Sequence, residues 1–424
     1  MTRASGLRKA LGPGVLFTGA AVGVSHLVQS TRAGAVYGFA LLLIVVLANV
    51  AKYPAFRFGP QYAAATNRSL LEGYRRQGRW ALLVYAALTV GTMFTVEAAV
   101  TLVTAGLAKH LFGLELSPLV VSAALIAVCG GILAAGKYHW LDRISKVVVS
   151  VLAVSTVAAT AIALPAIDFG AVSFWPARWD APTVFFVVAL MGWMPSAIDV
   201  AVWQSLWTLA REKDTAHRPT MRESMFDFHL GYWGTAFLAV CFVLLGAGTI
   251  FGRGIDLSDT AGGFAAQVVD LYAATLGEWS RPIIAVSAFA TMFSTTLTVV
   301  DGFPRALAVL VARLRGPEEE GGVDEAQRAH ASVYWGSVIL LGAGSLIIIS
   351  LLLTSLSAMV DLATTLSLLT APILAWLNHR AVLAPEVPPE MRPRPWLVAA
   401  SWLGIVALGG FASYYLLVKL GVLG

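Results

Sequence analysis

Residues 23–30 read GVSHLVQS, and they interrupt the first apolar run of the chain with a glycine, a serine and a histidine. Such residues are costly at mid-membrane depth unless they meet a cavity, a partner helix or a ligand. A second apolar run, residues 191–205, reads MGWMPSAIDVAVWQS and is interrupted by Gly192, Pro195, Ser196 and Asp199. Reading both stretches as broken membrane helices decides the fold. One proline kink alone would say little, because prolines are common in membrane helices.

The surrounding composition supports that reading. The chain has 424 residues, of which 58% are hydrophobic and 12% charged. Soluble domains carry about 25% charged residues. Mean hydropathy is +0.76. Apolar runs of about 20–25 residues recur, as a hydrocarbon core of ~30 Å requires of a helix. The short alternating segments of a barrel are absent from the sequence. The expected class is an all-α polytopic membrane protein. Its two cysteines, Cys129 and Cys241, lie in apolar runs and read as small core residues rather than a disulfide or a metal pair. The net charge of +5 reflects membrane topology, and no nucleic-acid partner or cofactor is expected.

Eleven spans are predicted, at 12–31, 34–53, 80–108, 117–136, 142–165, 182–209, 228–251, 282–310, 331–354, 357–378 and 395–418. With a cytoplasmic N-terminus, most basic residues fall on the inner side, among them Arg8, Lys9, Lys52, Arg75, Arg76, Lys137, Arg143, Arg211, Lys213 and Arg313. Arg32, Lys109, Arg178, Arg253, Arg281 and Lys419 are left outside. This asymmetry places the N-terminus inside and the C-terminus outside, in a bacterial inner (plasma) membrane. The first span mimics a signal peptide, but its glycines and the parity of the later loops argue against one. Glu318, Glu319 and Glu320 form a solvated acidic patch, and residues 379–394 a linker into the last span. Trp80, Tyr138, Trp140, Trp396 and Trp402 read as interface anchors, and Asp227, His229 and Asp361 as interfacial residues near span ends.

The interrupted spans open two sets of five, with one span left over. Glycine- or proline-broken helices in corresponding halves point to a transporter of inverted repeats. The 5+5 division gives repeat one at about 12–165 and repeat two at about 182–378. A single transporter domain then covers 1–380, and 381–424 is a linker with an extra helix. Unwinding frees backbone groups that a substrate, ion or water must satisfy.

The chain resembles the NRAMP family of proton-coupled divalent metal transporters. The resemblance rests on LGPGVLFTGAAVGVSH (11–26), AGAVYGFALLLIVVLANV (33–50), Met194-Pro195, RESMFDFHLGYWGTAF (222–237) and FSTTLTVVDGF (293–303). It covers most of residues 11–380 and implies a leucine-transporter-type fold with 11 transmembrane helices. The family's first-span Asp-Pro-Gly-Asn falls here on Gly23, Val24, Ser25 and His26, so the acid is missing. Met194 falls on the family's ligand methionine. The histidine positions after Met-Pro are Ser196 and Ala201. Of the paired acids in span 3, Glu97 is kept and Phe94 replaces the aspartate.

The substrate-binding candidates are Gly23, Ser25, His26, Met191, Met194, Ser196 and Asp199. His26, Met194 and Asp199 could together hold a transition metal, an imidazole and a thioether being suited to late metals and the carboxylate replacing the lost acid. Glu97, an acid within a span, is the proton-coupling candidate. Asp301, with Arg305 four residues on, reads as a helix-face ion pair. The expected function is secondary active transport of a divalent transition metal with protons, through an altered site. Two alternatives stand beside it: the same fold moving a small organic anion on its half-helix amides, and a non-transporting membrane sensor. What separates cation from anion is whether Asp199 faces the break. No nucleophile elbow, phosphate loop or metal-hydrolase spacing suggests an enzyme.

Overall fold

The computed structural model describes residues 9–136, 138–166, 173–316, 331–352 and 355–422, without the side chains of 138–146, 148 and 166. Glu318, Glu319, Glu320 and the side chains of Tyr138 and Trp140 therefore lie outside the described residues. Every described segment of regular structure is helical.

Helix α1, Pro13–Ala21, starts with proline at its first position, where a missing N–H is harmless. It stops at Ala21. After three residues the chain enters a single wide π turn, Ser25–Ser30, and continues as α2, Thr31–Tyr37. Then come α3, Leu42–Thr66; a short amphipathic α4, Leu70–Gln77; α5, Arg79–Phe112; α6, Pro118–Ala134; and α7, Tyr138–Ala163. The second half opens with α8, Ala181–Gly192, whose N-terminus Asp180 caps by accepting from Thr183 N at 3.1 Å. A non-helical stretch containing a cis Met194–Pro195 bond leads to α9, Val200–Thr215. Helix α10, Met221–Thr249, begins with a capping box between Thr220 and Glu223. The chain completes itself with α11, Ala261–Leu276; α12, Arg281–Arg315; α13, Ala331–Leu352; α14, Leu356–Val382; and α15, Pro395–Lys419.

Seven of the described helices are long and apolar enough to cross a membrane unaided, and α6, α8 and the Val149–Ala163 part of α7 are shorter apolar helices. Leu83, Ile339, Leu351, Leu403 and Val406 are well exposed on the outside of the bundle, where lipid rather than water suits them. The protein is an integral membrane protein.

The two broken helices pack crosswise. α1 and α2 lie along α10, the second long helix of the other half; α9 lies along α3, the second helix of its opposite half; and α8 lies on α14. Small residues permit this closeness. A Cβ on Gly14 would strike the Asp227 backbone, and one on Gly231 would strike Gly14 in turn. The pairing of first helix with seventh and sixth with second is the leucine-transporter-type inverted repeat.

Some boundaries differ from those expected. The predicted span 34–53 is two elements: residues up to Tyr37 finish the first broken helix, and α3 runs straight through Pro54 and Pro60 to Thr66. Proline is tolerated there because neighbouring helices re-satisfy the freed carbonyls. Helices α4 and α11 occupy stretches that the hydropathy pattern assigns to loops. Asp227, expected near a span end, is buried within the protein. It is 4% exposed and accepts from Gly12 N at 3.0 Å and Gly14 N at 2.6 Å, a carboxylate seated on the positive end of α1.

Candidate functional site

A cavity of about 30 Å³ lies where the two breaks meet, room for a water molecule or two or for an ion rather than a large solute. Its walls come from α1 and its break, α5, the second break, α9 and α12. Val96, Val100, Trp193, Trp203 and Phe303 make it mostly apolar. The polar lining is Ser25, Ser196, Asp199 and Thr295.

Each polar group has a distinct local cause. Ser25 opens the π turn, and its hydroxyl lies 2.5 Å from Ala21 O, which also accepts from Gly23 N at 2.8 Å. Thr295 donates to Gly19 O at 2.8 Å, fastening α12 to α1. Ser25 has Ala21 O and His26 Nδ1 to receive its one hydrogen, and Thr295 gives its own to Gly19 O, so hydroxyl lone pairs remain for the cavity. Asp199 stands at the entrance to α9 without capping it. Its carboxylate is 2% exposed and accepts one long side-chain hydrogen bond, from Thr89 Oγ1 at 3.5 Å. A buried carboxylate so thinly satisfied, facing oxygen lone pairs across a small gap, suits a positive occupant and repels an anion.

The other expected site residues sit elsewhere. His26 is fully buried, but its ring is tied to backbone. Nε2 donates to Thr235 O at 2.9 Å, and Nδ1 lies 2.9 Å from Ala21 O and 2.8 Å from Ser25 Oγ. In this arrangement it offers the cavity no lone pair. Met191 and Met194 are packed in the main hydrophobic core, with Ser30 Oγ 3.9 Å from the Met194 sulfur. A Cβ on Gly23 would meet Thr295 at 3.0 Å, so this glycine sets the approach of α12. Of the seven candidates, the cavity gathers Ser25, Ser196 and Asp199. Among the described residues no three His, Cys, Asp or Glu side chains cluster as a ready metal cage.

Glu97 lies on α5 beside Val96, which lines the cavity, but does not line it itself. It is fully buried; Oε1 accepts from Thr101 Oγ1 at 2.6 Å, while Oε2 has no hydrogen-bond partner among the described residues. Asp301 pairs with Arg305 at 3.0 Å and also accepts from Tyr334 Oη at 2.7 Å.

Two further contacts close the ends of the first broken helix. At one end stands the Asp227 cap. At the other, Arg32 of α2 donates to both oxygens of Asp361 on α14, at 2.8 and 3.3 Å, and to Gln29 Oε1 at 2.9 Å. Nearby, Asp259 fastens the start of α14 by accepting from Ser357 N at 2.8 Å. Burial alone would raise the Asp259 carboxyl, but its bonds from Ser357 and Ser355 hold it below the usual range.

Sequence reasoning missed Lys52, Thr295, Trp193 and Trp203. The charge pattern puts Lys52 at the inner membrane edge, yet it is fully buried beside the second break. The signal lies in AFRF, the apolar continuation after Pro54, which argues that the helix does not end at residue 53. Thr295 and the two tryptophans carry no local mark that separates them from ordinary core residues.

Comparison with known proteins fits this geometry. The family described as natural resistance-associated macrophage protein-like, Nramp, matches residues 14–419. The uncharacterized protein PM0681 of Pasteurella multocida is 34% identical over 418 residues, 97% of this chain and 93% of its own length. A crystal structure of a mutant Eremococcus coleocola manganese transporter superposes with a TM-score of 0.69 at 13% identity, covering 98% of this chain and 88% of that one. MhsT in complex with L-phenylalanine superposes at 0.61 and 15% identity, covering 100% and 99%. At those identities the structures speak for the fold.

Proposed function

This chain belongs to the Nramp family, and we propose from that premise that it is a secondary transporter carrying a metal cation through the cavity between its two helix breaks. Family membership supports metal-ion transport as the general activity. The observation that carries the particular reading is Asp199: a buried carboxylate in the cavity, at the second break, does for a cation what the missing first-span acid would do. The lining donors are all oxygens, namely Asp199, Ser25, Ser196 and Thr295. Such a set favours a hard divalent ion that keeps part of its water over a soft one. An organic anion fits poorly beside Asp199. Glu97 is the proton carrier in this reading, since its unpartnered Oε2 can take a proton without breaking a bond. The N-terminus lies in the cytoplasm and the C-terminus outside.

The test is calorimetry on the purified protein with Mn²⁺, Mg²⁺, Zn²⁺ and Cd²⁺. The wild type binds at least one ion saturably, and Asp199→Asn weakens it at least roughly tenfold, about 1.4 kcal/mol. Undiminished affinity in Asp199→Asn overturns the site. In proteoliposomes, Glu97→Gln retains binding but no longer accumulates the ion when a pH gradient is imposed. Binding without any uptake by the wild type would favour a sensor instead.

A further inference from the structure

Lys52 presents a problem that the transport reading does not use. Its side chain comes from the middle of α3, is completely buried, and lies outside the lining of the Asp199 cavity. An ammonium there has lost its water and needs strong acceptors. Among the described residues no carboxylate lies within ion-pair distance of it. Its partners are two backbone carbonyls: Nζ donates to Gly192 O at 2.7 Å and to Ser196 O at 3.2 Å.

Those two carbonyls have a shared origin. Gly192 is the last residue of α8, and Ser196 belongs to the non-helical stretch after it. The break removes the amides that would have met them along an unbroken helix. Gly192 O also marks the negative end of the α8 dipole. A cluster of freed carbonyls at the C-terminal end of a half-helix is the ligand set by which proteins strip and hold alkali cations. On its other side Gly192 packs α8 tightly on α14, since a Cβ there would strike the Thr364 backbone.

We propose that the carbonyl cluster at the second helix break is a monovalent-cation site that the chain fills with its own Lys52. The ammonium takes the place of a free alkali ion. It braces α8 against α3 and holds the break open without any dissolved cation, so the neighbouring Asp199 cavity can be served by the cargo alone. The site would accept ammonium, small alkylammonium, potassium or sodium ions if the tether were cut.

The experiment is thermal unfolding of the detergent-purified protein in chloride salts of sodium, potassium, ammonium, methylammonium or the bulky N-methylglucamine, at constant ionic strength. The wild type has the same Tm in all of them. Lys52→Ala melts several degrees lower in N-methylglucamine, roughly 5 °C, and recovers at least half of the loss, saturably, in one of the small cations. Lys52→Met fills the same space without charge; it melts below the wild type and recovers in none. A Lys52→Ala protein that no small cation restores overturns the proposal. So does a Lys52→Met protein as stable as the wild type, and that comparison decides the matter even where Lys52→Ala does not fold. None of these readings depends on whether the Asp199 cavity binds a metal.

Discussion

His26 shows how a residue in a functional-looking place is consumed by the backbone. The imidazole lies between the break and α10: Nε2 donates to Thr235 O, and Nδ1 lies beside Ser25 Oγ and Ala21 O. With Nε2 donating to Thr235 O, Nδ1 of the neutral ring is an acceptor whose electron pair faces the Ser25 hydroxyl rather than the cavity. Replacing His26 by alanine should therefore remove a buried hydrogen bond, at a cost of about 1–3 kcal/mol. The expected result is a clear drop in Tm with metal affinity unchanged within about twofold, which is under 0.5 kcal/mol. Calorimetry beside thermal unfolding separates the two roles: lost affinity at intact stability would make His26 a ligand after all. Asp199 should behave in the opposite way, because asparagine preserves its shape and removes only its charge.

The broken first helix is held at both ends by charge. Asp227 sits on the N-terminal amides of α1, where a carboxylate at a helix dipole contributes up to ~2 kcal/mol in a partly buried setting. Arg32 grips both oxygens of Asp361 between α2 and α14, a bidentate geometry stronger than a simple surface pair. These contacts are at opposite ends of one interrupted element, so each one stabilises closure at its own end. Asp227→Ala should loosen α1 from α10, and Arg32→Ala should loosen α2 from α14. A loss of about 1–2 kcal/mol shifts the open-to-closed ratio roughly 5- to 30-fold. Spin labels across each pair would report it as a longer distance at the mutated end alone. Equal opening at both ends, or none, would mean that the clamps do not act independently.

On the scale of the molecule, an odd number of spans must put the termini on opposite sides. Among the described residues seven helices are long enough to cross unaided, and an eleven-span count, as expected from the sequence, would need the broken helices and the shorter apolar ones as well. Reporter fusions settle the count. A fluorescent protein that matures only in the cytoplasm should glow on the N-terminus and stay dark on the C-terminus, and a phosphatase active only outside should give the reverse. Matching signals at both ends would require an even number of spans and would undo the orientation. Cys129 and Cys241, both buried, should stay unlabelled by a water-soluble maleimide until the protein is unfolded.

What the sequence determined by itself was local and additive. Long apolar runs can only be membrane helices, because the bilayer leaves no other way to satisfy the backbone. Gly, Pro and polar residues inside such runs mark breaks, since their cost is visible without knowing any neighbour. Two breaks at equivalent places imply the inverted repeat, and the quoted motifs name the family. Asp199 was legible for the same reason, as an acid inside a break. Tertiary structure alone decided which polar groups face the cavity. The π turn at Ser25–Ser30 accommodates an extra residue, and each added residue rotates the remainder of the helix by about 100° around its axis. Ser25, at the start of that turn, lines the cavity, while the next residue, His26, lies against α10. Lys52 and Asp227 could not be placed from sequence either, because their partners, at Gly192 and Gly12, lie more than a hundred residues away. A buried charge is explained only by the group that neutralises it, and that group is chosen by how the helices pack.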